Sequence, residues 1–305
     1  MDLSNLELVV EGCVKLVREI LPNEFNSEKI DVIINNAGLV VSKEKTQAQQ
    51  VSTTFSVCHL GHFLMNHLLK DYLNENARII IVSSNVAKMM FPKSLKHLED
   101  IKWMDMIQKE QSYKTTTPTY AYNKLFCTMH GLNLHQKWVI EENKKLAVNM
   151  LHPGTMMTNL PEKALDNERD SLLGWLKYGA YKMVHAFQGI PIAKGAFNEL
   201  RLAVDPAITC SGVYFSEDKE DMDHPIAYIK EEREKLWELS MKLCSPFFEQ
   251  FNNNNKMENQ PSVQQSQISD NIVINEQQIS QSPPQTASEQ ELEISESKSS
   301  KEEIE

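Results

Sequence analysis

Two short runs of β-branched and aliphatic residues constrain this chain more than anything else in it. The first is KIDVIINNAG, with its apolar part at Ile30–Ile34, and the second is RIIIVSS over residues 78–84. Neither alternates apolar with polar residues. Each therefore predicts a fully buried strand, covered on both faces as a central strand of a parallel sheet is. Both end in small polar residues, Asn35, Asn36, Ala37 and Gly38 in one and Ser83 and Ser84 in the other. Around them the periodicity turns helical. Residues 4–20 place Leu6, Val9, Val10, Cys13, Leu16, Val17 and Ile20 on one stripe, with Ser4 or Asp2 as a candidate cap. Further helices are expected over 48–74, Tyr120–Lys137, Lys194–Val204 and Pro225–Leu243, with strands at Leu146–Leu151 and Ser211–Ser216. The fold class is α/β, with a doubly wound parallel sheet.

The chemistry starts at TPTYAYNKL, residues 117–125. Tyr120 and Lys124 are four apart, so a helix presents both on one face, one turn apart. An ammonium beside a phenol favours the phenolate and lowers the tyrosine pKa from about 10 toward the working pH. Such a pair can move a proton on or off an alcohol or carbonyl oxygen. The spacing alone is weak, since chance supplies about one such pair in a chain of this composition. Tyr178 and Lys182 form a second one, which no strand precedes, and it reads as a solvated helix face.

Four motifs in order, NNAG at 35–38, the serines at 83–84, YxxxK at 120–124 and HPGTMMT at 152–158, resemble the short-chain dehydrogenases/reductases. FSVCHLGHFLMNHLL at 55–69, the long gap between Ser84 and Tyr120, and MLHPGTMMTNL are similar to the branch of the retinol dehydrogenases and the WW domain-containing oxidoreductase. The resemblance covers roughly residues 2–245 and implies a Rossmann-type sheet, an NAD or NADP cofactor and alcohol–carbonyl interconversion. It assigns Tyr120 as the proton carrier, Lys124 as its partner and a ribose ligand, and Ser84 as the hydroxyl on the substrate oxygen, with Ser83 the neighbour. Asn36, Ala37 and Gly38 would let the backbone approach the cofactor. Pro153 and Gly154 would contact the nicotinamide carboxamide, with Thr158 the hydroxyl that follows. Asp2 matches the family's adenine-contacting acid, and an N-cap aspartate is an equal reading. Cys58 stands where the branch has the asparagine that helps hold a proton-relay water, and a thiol cannot reproduce an amide. An apolar helix over 160–192 matches the family's substrate lid and implies a small hydrophobic substrate, steroid- or retinoid-like.

The sequence has no TGxxxGxG segment, the loop whose amides hold the pyrophosphate in this family. The domain is therefore expected to be N-terminally incomplete, with strand order 4-5-6-7 remaining. Ile30–Ile34 then becomes an edge that invites self-association. The alternative is a catalytically inactive fragment or pseudo-enzyme acting as an interaction protein.

Composition narrows the rest. The formal charge is −11, but residues 252–305 hold 10 acids and 3 bases, so the remainder carries about −4 and gives no support for nucleic-acid binding. That Asn/Gln/Ser/Glu-rich stretch is expected to be disordered, which divides the chain into an oxidoreductase domain, 1–250, and an acidic tail, 251–305. Five cysteines without CxxC spacing point to a reduced, cytoplasmic setting. No run approaches the roughly 20 apolar residues of a membrane span. His59 and His62 read as packing residues, and no metal is expected.

Overall fold

The computed structural model describes residues 1–39, 50–108, 116–155 and 190–257. Thr158, the lid over 160–192, Tyr178 and Lys182, and all but the first seven residues of the expected tail lie outside them.

Helix α1 (Leu6–Lys15) buries Leu6, Val9, Val10 and Cys13, the expected stripe. Its cap differs from expectation. Asn5 takes that place, its side chain accepting the Glu7 amide at 2.9 Å. Asp2 instead closes an exposed turn by accepting the Ser4 amide at 2.8 Å. After π-helical and α-helical turns that reach Phe25, the chain enters β1 (Ile30–Asn35). A helical stretch from Thr53 leads into α2 (Gly61–Leu69), then β2 (Leu73–Val82) and the short α3 (Val86–Met90). Helix α4 (Thr116–Leu134) precedes β3 (Leu146–His152). Helix α5 (Ile192–Val204), the short strands β4 (Tyr214–Ser216) and β5 (Lys219–Asp221), and α6 (Lys230–Met257) follow.

The sheet runs β1-β2-β3-β4-β5. The first three pairings are parallel and β5 returns antiparallel on β4. Side chains alternate between the two faces, as strand geometry requires. Ile33, Ile79, Ile81, Val148, Met150 and Tyr214 enter a large core with α1, α2, α4 and α6. Ile80, Leu151 and Phe215 point to the opposite face, where Leu202 and Ala203 of α5 meet them.

This arrangement corrects one expectation. Only Ile33 and Asn35 of β1 are buried, and Ile34 is 37% exposed. β1 borders β2 alone among the described strands, and on its second face the described residues cover Val32 in part and leave Ile34 exposed. The unbroken apolar run has its two-sided burial in β2, where Ile79, Ile80, Ile81 and Val82 are all buried.

Helix α6 runs fourteen residues past the expected end at Leu243 and through the expected boundary at 250/251, to Met257. Pro246 lies within it and has no amide to offer the Lys242 carbonyl. The Ser245 hydroxyl donates to that carbonyl instead, at 3.0 Å. Further along, Phe251 is buried, and the Asn255 amide donates to the Tyr72 hydroxyl at 3.1 Å while its oxygen accepts from Arg18. The shift to polar composition at Asn252 therefore does not end the helix.

Candidate active site

The carboxyl ends of β1 and β2 and the first turns of α4 converge. Thr116 opens the helix one turn ahead of Tyr120, so Tyr120 and Lys124 share a helical face, and the Lys124 ammonium lies 5.8 Å from the centre of the Tyr120 ring. Lys124 is buried and donates to the Val82 carbonyl at 2.8 Å, which pins it to the end of β2. Gly38 borders the same nitrogen. A Cβ there would lie 3.4 Å from Lys124 Nζ and 3.6 Å from Cys58 Sγ, so this position keeps space beside the ammonium open. Asn36, Ala37 and Gly38 are exposed.

The two strand-end serines differ. Ser83 is buried and its hydroxyl is committed to the protein, 2.7 Å from the Lys124 carbonyl and 2.8 Å from the Thr128 hydroxyl. Ser84 is half-buried, and its oxygen accepts the Val86 amide at 3.3 Å, which leaves its hydroxyl hydrogen free to donate. After β3, Pro153 and Gly154 are buried, and the Asn198 amide of α5 donates to the Pro153 carbonyl at 3.3 Å. Gly154 has φ +103°, and a Cβ there would collide with Ile190 Cδ1, so both backbone and space require glycine.

Electrostatics modify the expectation drawn from spacing. Burial raises the Tyr120 phenol, and Lys124 lowers it by less, so the net shift is upward. The phenol therefore holds its proton at neutral pH. Burial disfavours the Lys124 ammonium, but Tyr120, Cys127, Cys58 and Glu199 together hold it above the ordinary lysine range. Lys124 remains a cation.

Glu199, His152 and Cys127 were not singled out from sequence, whereas Asn35 and Cys58 were. The half-buried Glu199 of α5 feels Lys124, although burial leaves its carboxyl raised. His152 is pushed down to about 4, by burial first, and its buried Nδ1 has no partner among the described residues. Asn35 is buried with neither amide atom bonded among the described residues. Cys127 donates to the Cys58 carbonyl at 3.1 Å, and Cys58 to the Leu39 carbonyl at 3.6 Å. Sequence carries no local signal for Glu199 and Cys127, because helices distant along the chain deliver them. Among the described residues no group of His, Cys, Asp or Glu could hold a metal ion. Nor is any helix there long and apolar enough to cross a membrane.

Comparison with known proteins decides the family. Residues 8–95 match the model of the short chain dehydrogenases. Human retinol dehydrogenase 14 is 30% identical over 247 residues, covering 79% of this chain and 64% of that protein. The chain belongs to the short-chain dehydrogenase family. Within the family it is similar to the retinol dehydrogenase branch, and the zebrafish WW domain-containing oxidoreductase is 26% identical over 217 residues, 70% of this chain and 49% of that protein. The chain thus spans about two thirds of the retinol dehydrogenase's length and half of the other's. A crystal structure of an uncharacterized protein from Mycobacterium paratuberculosis shares the family fold at a TM-score of 0.51 and 20% identity, covering 80% of this chain and 74% of that one.

Proposed function

We propose that this chain carries the proton-transfer half of a nicotinamide-dependent oxidoreductase that interconverts an alcohol and a carbonyl on a small hydrophobic substrate. The observation that carries this reading is the gathering of Lys124, Tyr120 and the open position at Gly38 around the ends of β1 and β2. Tyr120 would deliver its proton to the substrate oxygen during reduction, and the buried ammonium of Lys124 would stabilise the phenolate left behind. Ser84 would donate a hydrogen bond to the same oxygen as negative charge develops there.

The residues present fit the nicotinamide end of an NAD or NADP molecule. Lys124 makes one hydrogen bond among the described residues and has two further donors for ribose hydroxyls. Asn36 to Gly38, Pro153, Gly154 and Thr158 would line the ring and its carboxamide, and Asp2 the adenine. The bound group would supply or accept the hydride. The 305 residues include no glycine-rich phosphate loop. Each absent charge-assisted bond is worth about 1.5–3 kcal/mol, so this chain by itself should bind either dinucleotide orders of magnitude more weakly than an intact family member. Thiols in all five cysteines accord with a cytoplasmic setting as part of this reading.

A second reading, an interaction protein acting through self-association, is favoured by the exposed Ile34 on β1. Fusing a family-type N-terminal strand–helix–strand–helix unit to the chain separates the two. Cofactor-dependent turnover that Tyr120→Phe lowers by at least about a thousandfold supports the enzyme. Turnover unaffected by Tyr120→Phe would overturn the site assignment, and no turnover from a fusion that binds cofactor would favour the second reading.

A further inference from the structure

Behind the candidate site runs a chain of short contacts that starts at a buried carboxylic side chain. Asp223 follows β5 and is 2% exposed. Its Oδ2 lies 2.5 Å from the hydroxyl of Thr128 on α4. Thr128 Oγ1 lies 2.8 Å from Ser83 Oγ, and Ser83 Oγ lies 2.7 Å from the carbonyl oxygen of Lys124. The other carboxyl oxygen accepts the His224 amide at 2.7 Å.

The hydrogens can be counted. Three oxygen–oxygen contacts of hydrogen-bond length need three hydrogens, and a hydroxyl carries one each. Ser83 and Thr128 supply two. The Lys124 carbonyl supplies none. With an ionised Asp223, Thr128 donates to the carboxylate, and the single Ser83 hydrogen must choose between Thr128 and the Lys124 carbonyl. One pair of oxygens is then left facing across less than 3 Å with no hydrogen between them. With a protonated Asp223 the chain closes in one direction. Asp223 donates to Thr128, Thr128 to Ser83, and Ser83 to Lys124.

We infer that Asp223 completes this chain as a neutral carboxylic acid and is a positioning residue, tying the helix of Tyr120 and Lys124 to the serine end of β2. Its surroundings agree. Burial raises its carboxyl to about 6, against the opposing pull of Thr128, the His224 amide and Lys88. The charges facing it are weak. Lys88 of α3 is taken up by Asp221 of β5 at 2.7 Å, and Asp221 itself repels Asp223. The Tyr214 and Tyr228 hydroxyls and the Cys127 thiol near it are all raised and uncharged. The His224 ring accepts the Ile226 amide and bonds the Pro92 carbonyl, and burial lowers it, so it is neutral. Among the described residues no cation is buried against the carboxyl. As pH rises past about 6 the chain loses one hydrogen and the link from Ser83 to Lys124 weakens.

The test compares the chain as it stands with Asp223→Asn, whose amide offers Thr128 a hydrogen that does not titrate. The native pKa lies above the unfolded one, so Asp223 stabilises fully below about 4, and that contribution is lost as pH rises through about 6. Urea unfolding from pH 5 to 7.5, above the acid transition of the buried histidines, should therefore show the wild type losing about tenfold in folding constant relative to Asp223→Asn, with histidine effects common to both. A difference that is flat in pH, or a wild type that gains on the variant as pH rises, overturns the inference. Carbon-13 NMR of the aspartate carboxyls in the wild type gives a reading that needs no variant. One carboxyl titrating near 6 supports the chain of donors, and all of them titrating below about 4.5 sinks it.

Discussion

The two faces of the sheet are built to different standards. On one, α1, α2, α4 and α6 enclose a core in which Phe55, Phe63, Phe126 and Trp138 are at most 1% exposed. On the other, among the described residues, Ile80, Leu151 and Phe215 meet Leu202 and Ala203, with Val32, Ile208, Cys210 and Val213 partly covered against them. The thick face also encloses His59, His67 and His130 among its rings, with His62 buried on α2, whereas the thin face looks toward exposed Ile34. The difference teaches that one strand sequence, apolar on both sides, can end in two environments. Only the helices that arrive decide which side is core.

The largest expected effect comes from acid, and it falls on the thick face. Burial pushes His59 down to about 3 and His62 and His67 to about 4, and His130 falls well below its ordinary value. Each folded pKa lies below the unfolded value of about 6.5, so the unfolded state takes up protons first as pH falls. Stability is unaffected above 6.5 and is lost between about 6.5 and 4, by about 3 kcal/mol for each of His59, His62 and His67 at pH 4. Three such losses rival the 5–15 kcal/mol of a typical domain, so circular dichroism should register cooperative unfolding on acidification with uptake of about three protons. A fold that persists unchanged at pH 4 would break the account of this core.

Truncation sharpens the comparison next. Phe126→Ala should cost about 3–5 kcal/mol, because rings on several sides cannot collapse into the gap. Leu202→Ala should fall near the lower end of the 2–5 kcal/mol range, since the thin face can relax. Chemical denaturation of both variants checks the order, and equal losses would mean that the faces pack alike.

The smallest effect on stability belongs to Ile34→Lys, at under about 0.5 kcal/mol for an exposed side chain. Its consequence should be in association instead. If the β1 edge joins copies of the chain, a lysine there should lower the mass seen by light scattering. An unchanged mass would remove the edge as the contact.

Local features carried far in the reading of the sequence. The runs at 30–34 and 78–82 became strands, and Tyr120 and Lys124 share a helical face, because side-chain period and short spacing act within a few residues. Ser83 and Ser84 followed their strand as expected, yet their unlike burial did not emerge from adjacent letters. The cap at Asn5 was missed because three nearby polar residues offer the same chemistry, and geometry alone chooses among them. The end of α6 was missed because composition changes at Asn252 while tertiary contacts at Phe251 and Asn255 hold the helix together.

The sequence by itself determined the α/β class, the family and the residue types gathered at the ends of the strands, since each rests on periodicity or on motifs a few residues long. Only the tertiary structure decided that β1 is half bare, that burial outweighs Lys124 in setting the Tyr120 proton, and that Asp223 stands behind Ser83. Those outcomes depend on groups far apart in the chain, such as Thr128 and Asp223, and on how completely they are withdrawn from water.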